Sequence, residues 1–378
     1  MTLVQGVKKS FESKGMRLLL LLVSLGVVAT FLRMFKGLGA VTNLTDDYPW
    51  GLWVAVDVFS GVALAAGGFA ITAAVYIFNM KKYRPIARPA ILTAFIGYSI
   101  VVIGLAIDIG KPFSAWHPLV MWNHRSVMFE VVWCITLYTT VLLFEFAPAF
   151  LERVKWEKAL KVIHIFHYPL VIAGIVLSFL HQSSLGGFFL IAPAKLSHIW
   201  WTPNIPYLFY LSAIAAGLAM VNFEGIVSTR GLKREPETDI NIGLGRGTRI
   251  ALLVYLVAKF ADMTYRGNWP LVFEWSKASY FWSAEILIGV ILPILLLSVK
   301  AIKESENGLL TASSLTLFGV VFNRFNMTFF TQSTGAEGFY FPSIWEIFVT
   351  LGLISAIVML YRLAVMHLPV FHEGPLNR

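Results

Sequence analysis

A short polar stretch near the middle of the chain holds the residues best suited to chemistry. Residues 179–187 read Phe-Leu-His-Gln-Ser-Ser-Leu-Gly-Gly and close an apolar run that begins near Val162. The imidazole of His181, the neighbouring amide and two hydroxyls can all donate or accept hydrogen bonds. The two glycines permit a sharp turn or a close approach to the backbone. The alternative is a helix end whose polar groups only cap the last turn.

The composition shows which elements must position this stretch. The chain has 378 residues, of which 57% are hydrophobic and 13% are charged, whereas a soluble domain has about twice that share of charge. The chain is therefore a polytopic membrane protein. The net charge of +9 does not indicate nucleic acid, because the basic residues fall in short loops between apolar runs. The single cysteine, Cys134, lies in an apolar run and excludes a disulfide framework.

The apolar runs predict an all-α integral membrane protein with ten transmembrane helices in a single domain. Each run approaches or exceeds the ~20 residues that a helix needs to cross a bilayer. The predicted spans are about 16–36, 50–79, 89–109, 125–147, 162–184, 204–229, 248–265, 276–299, 308–331 and 343–366. The first run follows a basic start and is expected to be a retained span rather than a cleaved signal.

Charge and aromatic residues predict the orientation in the cell inner membrane. Most lysines and arginines fall in one alternate set of loops, which places both termini in the cytoplasm. All tryptophans except Trp133 and Trp156 fall on the opposite, outer side. This excess is expected to form either a wide aromatic belt or a platform for another protein.

Ionisable side chains are concentrated in the outer half of the predicted spans. They are Asp57, Asp108, Glu130, His181, Lys259, Asp262, Glu285, Arg324 and Glu346. Charged groups inside a membrane are costly and by default mark a pathway or a site. Because acids outnumber bases, some must be protonated or reach water, which suits proton exchange. We expect the group to converge on one pocket below the outer surface; the alternative is a set of interhelical ion pairs.

Glu145 and Glu224 lie in the inner half of their spans and are candidates for an inner proton entrance.

Haem is not expected, because a bis-histidine haem needs histidines on two facing helices. His164, His167 and His181 all fall on the predicted fifth span, and the chain has no Cys-x-x-Cys-His motif. We therefore predict no haem, no iron–sulfur cluster and no metal. A quinone is possible, because its carbonyl oxygens need donors such as His181 with a nearby acid.

Motifs spread along the whole chain resemble those of one family. They are Tyr-Pro-Trp-Gly-Leu-Trp at 48–53 with Asp57, Gly-Tyr-Ser at 97–99, Asp-Ile-Gly at 108–110, Ser-Val-Met-Phe-Glu at 126–130, Glu-Phe-Ala-Pro at 145–148, His-Gln-Ser-Ser-Leu-Gly at 181–186, Phe-Glu-Gly at 223–225 and Tyr-Phe-Pro-Ser-Ile-Trp-Glu at 340–346. The set resembles the NrfD/polysulfide-reductase membrane subunits, and most of all their HybB-like branch.

The resemblance implies a fold, a ligand and partners. It implies two four-helix bundles with two peripheral helices, no cofactor in the chain, and menaquinone or a similar quinone bound near the outer face. It implies a ferredoxin-like iron–sulfur subunit on that face, with further catalytic or cytochrome subunits beyond it. The implied quinone and proton site consists of His181, Asp57, Asp108 and Glu130. We predict a proton path through Glu145, Glu224, Asp262, Glu285, Arg324 and Glu346.

Three functions therefore compete. The first is a quinone-reactive subunit of a respiratory oxidoreductase, with proton translocation as an added possibility. The second is a proton-coupled transporter, which would use the same buried acids and need no redox partner. The third is a passive anchor for an external redox complex, in which changing the buried acids leaves electron flow unaltered.

Overall fold

The computed structural model describes residues 13–330 and 340–371, and the ten predicted transmembrane helices are confirmed there. They are α1 (Lys14–Lys36), α2 (Val54–Ile77), α3 (Lys81–Asp108), α4 (Val127–Val154), α5 (His167–Ile191), α6 (Ile205–Leu232), α7 (Thr238–Arg266), α8 (Lys277–Ser298), α9 (Glu306–Phe330) and α10 (Ile344–His367). All are long and apolar enough to cross a membrane. Within the described ranges the regular structure is helical throughout.

The helix bounds differ most from the sequence prediction at the more polar ends, which are the predicted inner ends. Helix α7 begins at Thr238, ten residues before its predicted start, and α3 begins at Lys81. A helix needs only its backbone hydrogen bonds, so it can extend past the apolar run into the water layer. Conversely, the predicted fifth span started too early, since a separate short helix, Glu157–Ile165, ends before α5 begins.

Serine side chains fix the start of five helices. Ser13, Ser126, Ser276, Ser305 and Ser343 each precede a helix and accept a hydrogen bond from a backbone N–H in its first turn. Each bond satisfies one of the N–H groups that a helix start leaves without an internal partner, and typically contributes about 1 kcal/mol.

Helix α2 lies at the centre of the protein. Gly67 packs so closely on α6 that a Cβ at this position would lie 2.9 Å from the carbonyl oxygen of Gly217, and Gly68 packs on Ala94 of α3. The helix is not regular: Val54–Ser60 and Ala73–Ile77 are π-helical turns. Such wider turns inside α-helices are frequent at functional sites.

The helix contacts follow the chain order. Helices α2 to α5 pack on one another, α6 to α9 pack on one another, and α2 and α5 both contact α6. Helix α1 pairs with α10, where Gly26 and Gly352 approach each other, and both lie against α3. Two four-helix bundles with two peripheral helices would make these contacts, and that division stays a prediction.

An aromatic cluster joins the two groups of helices near their predicted outer ends. Phe59 of α2 lies with its ring centroid 5.0 Å from Phe189 of α5 and 6.0 Å from Phe209 of α6, and Trp50 lies 5.3 Å from Phe189. Rings at these spacings add to the stability that their buried area supplies. The cluster holds the outer ends of α2, α5 and α6 in a fixed relation.

Candidate functional site

The buried ionisable groups form several separate clusters rather than the single pocket expected from the sequence. One surrounds His181 between α3, α4 and α5, and a second surrounds Asp57 and Asp108. A third joins Lys259, Glu285 and Arg324 between α7, α8 and α9. Glu130 and Glu145 lie at the two ends of the first cluster, and Glu346 lies near Asp108 of the second. Asp262 and Glu224 occupy positions of their own.

His181 is completely buried. Its ring centroid lies 5.4 Å from that of Tyr98, which in turn meets Tyr138 edge-on at 4.5 Å. Ser178, one turn before His181 on α5, lies beside both phenols. The amide nitrogen of Gln182 donates to the carbonyl oxygen of Val62, 2.9 Å away, and so ties this cluster to α2.

The polar atoms of this cluster are short of partners. Among the described residues, the two ring nitrogens of His181 have no hydrogen-bond partner. The hydroxyls of Tyr98, Tyr138 and Ser178 and the side chain of Gln182 adjoin one another without a well-formed hydrogen bond. Buried polar atoms in proteins nearly always have a partner, which can be ordered water. These five adjacent side chains, which we name the His181 chamber, therefore offer donors and acceptors to ordered water or to a ligand.

Two glutamates lie at the ends of the His181 chamber. At the predicted outer end, Glu130 is exposed and accepts a hydrogen bond of 2.6 Å from Ser184, three residues beyond His181. At the inner end, Glu145 lies beside Gly174, with a carboxylate oxygen 3.5 Å from where a Cβ would stand, and faces Tyr138. The two acids and the chamber form one polar line along the contact between α4 and α5.

The second cluster lies where α2, α3 and α10 meet. Asp57 is 7% exposed on the π-helical turn, packs on Gly104 of α3, and has no hydrogen-bond partner for Oδ2 among the described residues. Asp108 ends α3 and faces the guanidinium of Arg33. Arg33 donates to the carbonyl oxygens of Ile107 (2.6 Å) and Ile109 (2.5 Å), which holds the last turn of α3 against α1.

An apolar groove of about 290 Å³ lies between α1, α3 and α10, beside this second cluster, and its lining is apolar apart from Thr30. Val23, Gly26, Val27, Phe31, Ile100, Ile103, Ile107, Val349 and Leu353 are among its lining residues. Leu353 and Asp57 both contact Gly104, at 3.4 Å and 3.0 Å from where a Cβ of that residue would stand. The groove therefore provides an apolar surface that one lining side chain, Leu353, separates from the buried carboxyl group of Asp57.

Asp57 and His181 lie at different depths. Asp57 packs against Gly104 of α3, whereas His181 contacts Tyr98, six residues earlier on the same helix. Six helical residues correspond to about 9 Å along the axis. The four residues predicted as one quinone site are thus divided, with Asp57 and Asp108 in one cluster and His181 and Glu130 in another.

The third cluster consists of closely bonded charged groups. The Lys259 ammonium lies 2.5 Å from Oε1 of Glu285, which also accepts a hydrogen bond of 2.9 Å from Asn323. The other carboxylate oxygen accepts from the indole N–H of Trp200 at 2.8 Å. The Arg324 guanidinium lies next to this pair and is 1% exposed.

Two of the predicted proton-path acids have partners that anchor loops. Asp262 accepts hydrogen bonds from Thr202 (2.6 Å), Asn204 (2.9 Å) and Arg266 (2.9 Å), which fastens the loop before α6 to the end of α7. Glu346 accepts from the backbone N–H of Ser343 in a capping box at the start of α10.

Glu346 also accepts a hydrogen bond from the Tyr340 hydroxyl. Burial, together with that hydrogen bond, raises the pKa of Tyr340 above its ordinary value. Glu224 lies in the predicted inner half of α6, where it accepts a 2.5 Å hydrogen bond from Thr93 and borders a cavity of about 30 Å³ beside Tyr361 and Arg234.

Sequence reasoning missed Tyr98, Tyr138 and Ser178 as members of the His181 chamber. A usable signal was present, because tyrosine in membrane helices favours the two interfaces. Both tyrosines stand well inside their spans and are about 1% exposed or less. Arg33 was also left unassigned, although it is a buried arginine within an apolar helix.

The chain is similar in sequence to several known membrane subunits and matches one family. A family model described as "Polysulphide reductase, NrfD" matches residues 40–336. A protein of Nitratidesulfovibrio vulgaris is 38% identical over 378 residues, covering 97% of both chains. The "Menaquinone reductase, integral membrane subunit" of the same organism is 29% identical and covers 93% of this chain and 90% of its own.

A third relative is the "Probable Ni/Fe-hydrogenase 2 b-type cytochrome subunit" of Escherichia coli, 29% identical over 89% of this chain and 87% of its own. Its name raises the question of haem. His181 is buried deep within α5, but the nearest histidine on that helix, His167, is 14 residues away, or about 21 Å. The ring of His181 faces Tyr98 rather than a second histidine. These residues do not fit a bis-histidine haem, and the absence of haem stays a prediction.

Proposed function

The chain belongs to the NrfD polysulphide reductase family, and we propose that it is the quinone-reactive membrane subunit of a multi-subunit respiratory oxidoreductase in the cell inner membrane. It exchanges electrons between menaquinone or a similar quinone and an iron–sulfur subunit on the outer face. The resemblance to that family and the name of the menaquinone reductase relative support the choice of quinone. The tryptophans of the predicted outer side support docking of the partner there.

The position of Asp57 beside the apolar groove, one side chain away from its lining, is the observation on which the proposal depends. A quinone needs an apolar surface for its ring and prenyl tail, and a few polar groups that fix its carbonyl oxygens. The groove between α1, α3 and α10 supplies the first. Asp57, with one carboxyl oxygen unpartnered among the described residues, and Asp108 supply the second.

Quinone reduction and quinol oxidation each involve two protons, so the site needs a route for them. We assign contact with the quinone head group to Asp57 and Asp108. The His181 chamber serves as the relay, with Glu130 at its outer end and Glu145 at its inner end. The unpartnered donors and acceptors of the His181 chamber support this role, since proton transfer requires groups within reach of one another or of a bridging water. We assign no proton step to Asp262 and Glu346, whose partners hold loops.

The test is Asp57→Asn in the purified complex, with Asp47→Asn as the matched control. Both variants replace a carboxylate by an amide, but Asp47 is exposed in the loop before α2. We expect Asp57→Asn to lower kcat/KM for a soluble menaquinol analogue by about 10²-fold or more, the usual contribution of a general acid or base. Assembly, measured by copurification of the partner subunits, stays intact.

A second measurement locates the quinone independently of turnover. A photoreactive azidoquinone should label residues that line the groove, such as Ile103 of α3, and excess menaquinone analogue should compete with the label. Unchanged turnover in Asp57→Asn, or labelling confined to other helices, contradicts the proposed site. Unchanged turnover in every variant of the buried acids favours the passive anchor instead.

A further inference from the structure

A buried group with unequal charge lies between α6, α7, α8 and α9, away from the proposed quinone site. Lys259 and Glu285 form an ion pair of 2.5 Å and are 5% and 1% exposed. Arg324 is 1% exposed and has no carboxylate hydrogen-bonded to it among the described residues. Its two terminal nitrogens donate to neutral oxygens instead, Asn323 Oδ1 at 2.6 Å and Ser212 Oγ at 2.8 Å.

Lys259, Arg324 and Glu285 together carry one excess positive charge. Arginine is not deprotonated in proteins, and the guanidinium of Arg324 stacks on the Phe209 ring at 3.5 Å rather than reaching water. The short contact between Lys259 and Glu285 is typical of a charge-assisted hydrogen bond. Two cations therefore share one carboxylate in the part of the chain that the structure describes. An uncompensated charge in such surroundings is strongly unfavourable.

A small cavity lies between the two cations. Its volume is about 20 Å³, and its lining includes Phe209, Tyr255, Lys259 and Arg324. The Nε atom of Arg324 is buried and has no hydrogen-bond partner among the described residues. One donor is thus unused at a cavity whose volume suffices for a single water-sized particle. The positive charge on two sides favours an anion over water.

We propose that this cavity binds one small monovalent inorganic anion between Arg324 and Lys259. The anion supplies the missing negative charge and accepts a hydrogen bond from the Nε–H group of Arg324. Chloride is the probe, because it is spherical and close in size to a water molecule. The proposal concerns α6 to α9 and does not depend on where the quinone binds.

The experiment measures the thermal unfolding of the purified full chain in detergent, in sodium chloride and in sodium gluconate of equal ionic strength. Gluconate is too large for the cavity. An anion that binds only the folded state raises Tm in a concentration-dependent way. We expect a rise of several degrees that saturates with chloride. Bromide should reproduce it and should give an anomalous scattering peak next to Arg324 in crystals.

Lys259→Met is the decisive variant, with Lys277→Met as its control. Removing Lys259 takes away one of the two cations that line the cavity and leaves Arg324 and Glu285 with equal and opposite charge, so the variant should lose the chloride response. Lys277 is exposed at the start of α8, and its replacement should leave the chloride response unchanged. Arg324→Gln is a second variant that should also lose the response, but the proposal stays testable if it does not fold.

Three results would overturn the proposal. The first is a wild-type Tm that is the same in chloride and gluconate. The second is a chloride response that persists in Lys259→Met. The third concerns Glu337, which lies outside the described residues: a loss of stability in Glu337→Gln that added chloride reverses would identify this carboxylate as the counter-charge. Quinone turnover is measured separately, so failure here leaves the proposed function untouched.

Discussion

Replacing Glu285 by glutamine should cost far more stability than any exposed acid in this chain. Glu285 accepts hydrogen bonds from Lys259 (2.5 Å), Asn323 (2.9 Å) and Trp200 (2.8 Å), and it is the carboxylate that balances the charge of Lys259. Glutamine has the same size but no charge. Its side-chain NH₂ group would replace one carboxylate oxygen, so a donor would stand where the neighbouring N–H groups now find an acceptor.

The magnitude follows from burial. Removing one partner of a buried ion pair costs about 3–5 kcal/mol, because the other charge stays buried without compensation. Lys259 is 6% exposed and Glu285 is 1% exposed at the side-chain level, so solvent screens little of that cost. The double variant Lys259→Met with Glu285→Gln removes both charges together. It should be within about 2 kcal/mol of the wild type, because replacing a whole buried pair by neutral groups is often tolerated.

The assay is reversible unfolding of the full chain in mixed micelles, followed by tryptophan fluorescence in chloride buffer. Glu274→Gln makes the same chemical change at an exposed position before α8 and should alter the free energy of unfolding by less than about 0.5 kcal/mol. If Glu285→Gln loses less than about 1 kcal/mol, or if the double variant is as unstable as the single one, the reasoning from buried charge is wrong.

Two further predictions test packing and ionisation. Gly289→Ala should lower the free energy of unfolding by about 1–3 kcal/mol, because the added Cβ would lie 2.3 Å from the Cα of Gly319 where α8 contacts α9. Gly187→Ala, which has open space around it, should be nearly neutral in the same unfolding assay. Because the pKa of Tyr340 is raised in the folded chain, its hydroxyl stays protonated above pH 10, whereas the unfolded chain releases this proton at about pH 10. The free energy of unfolding should therefore fall as pH rises above about 10. Tyr340→Phe should reduce that slope in alkaline unfolding curves, while the exposed Tyr265→Phe should leave it unchanged.

The sequence was sufficient for the ten helices because membrane insertion depends on a property that is local in the chain. About 20 consecutive apolar residues satisfy the bilayer wherever they occur, so α1 and α10 could be located to within two residues. The ends of α3 and α7 were less predictable, since their first turns lie among charged residues and depend on backbone hydrogen bonds that composition does not report.

The family could also be recognised from the sequence, because its motifs are short contiguous runs of residues that can be identified without the fold. The sequence located ionisable groups within the apolar helices, but the single pocket expected from them was wrong and their partners could not be predicted. Asp262 and Glu346 look alike in sequence to Asp57, each being an acid near the outer end of an apolar helix. Only the folded chain shows that the first two hold loops, whereas Asp57 packs against a glycine beside an apolar groove.

By itself the sequence determined that the chain crosses a membrane ten times and that ionisable groups lie inside these helices. The tertiary structure alone decided which groups meet. Successive side chains of a helix differ in direction by about 100° around the axis, so each residue lies on a different face. Which faces come together depends on the packing of helices that are distant in sequence. Tyr98, Tyr138 and His181 thus meet across three helices, and Lys259, Glu285 and Arg324 across three others. Those contacts arise from packing between helices, and no spacing along the chain encodes them.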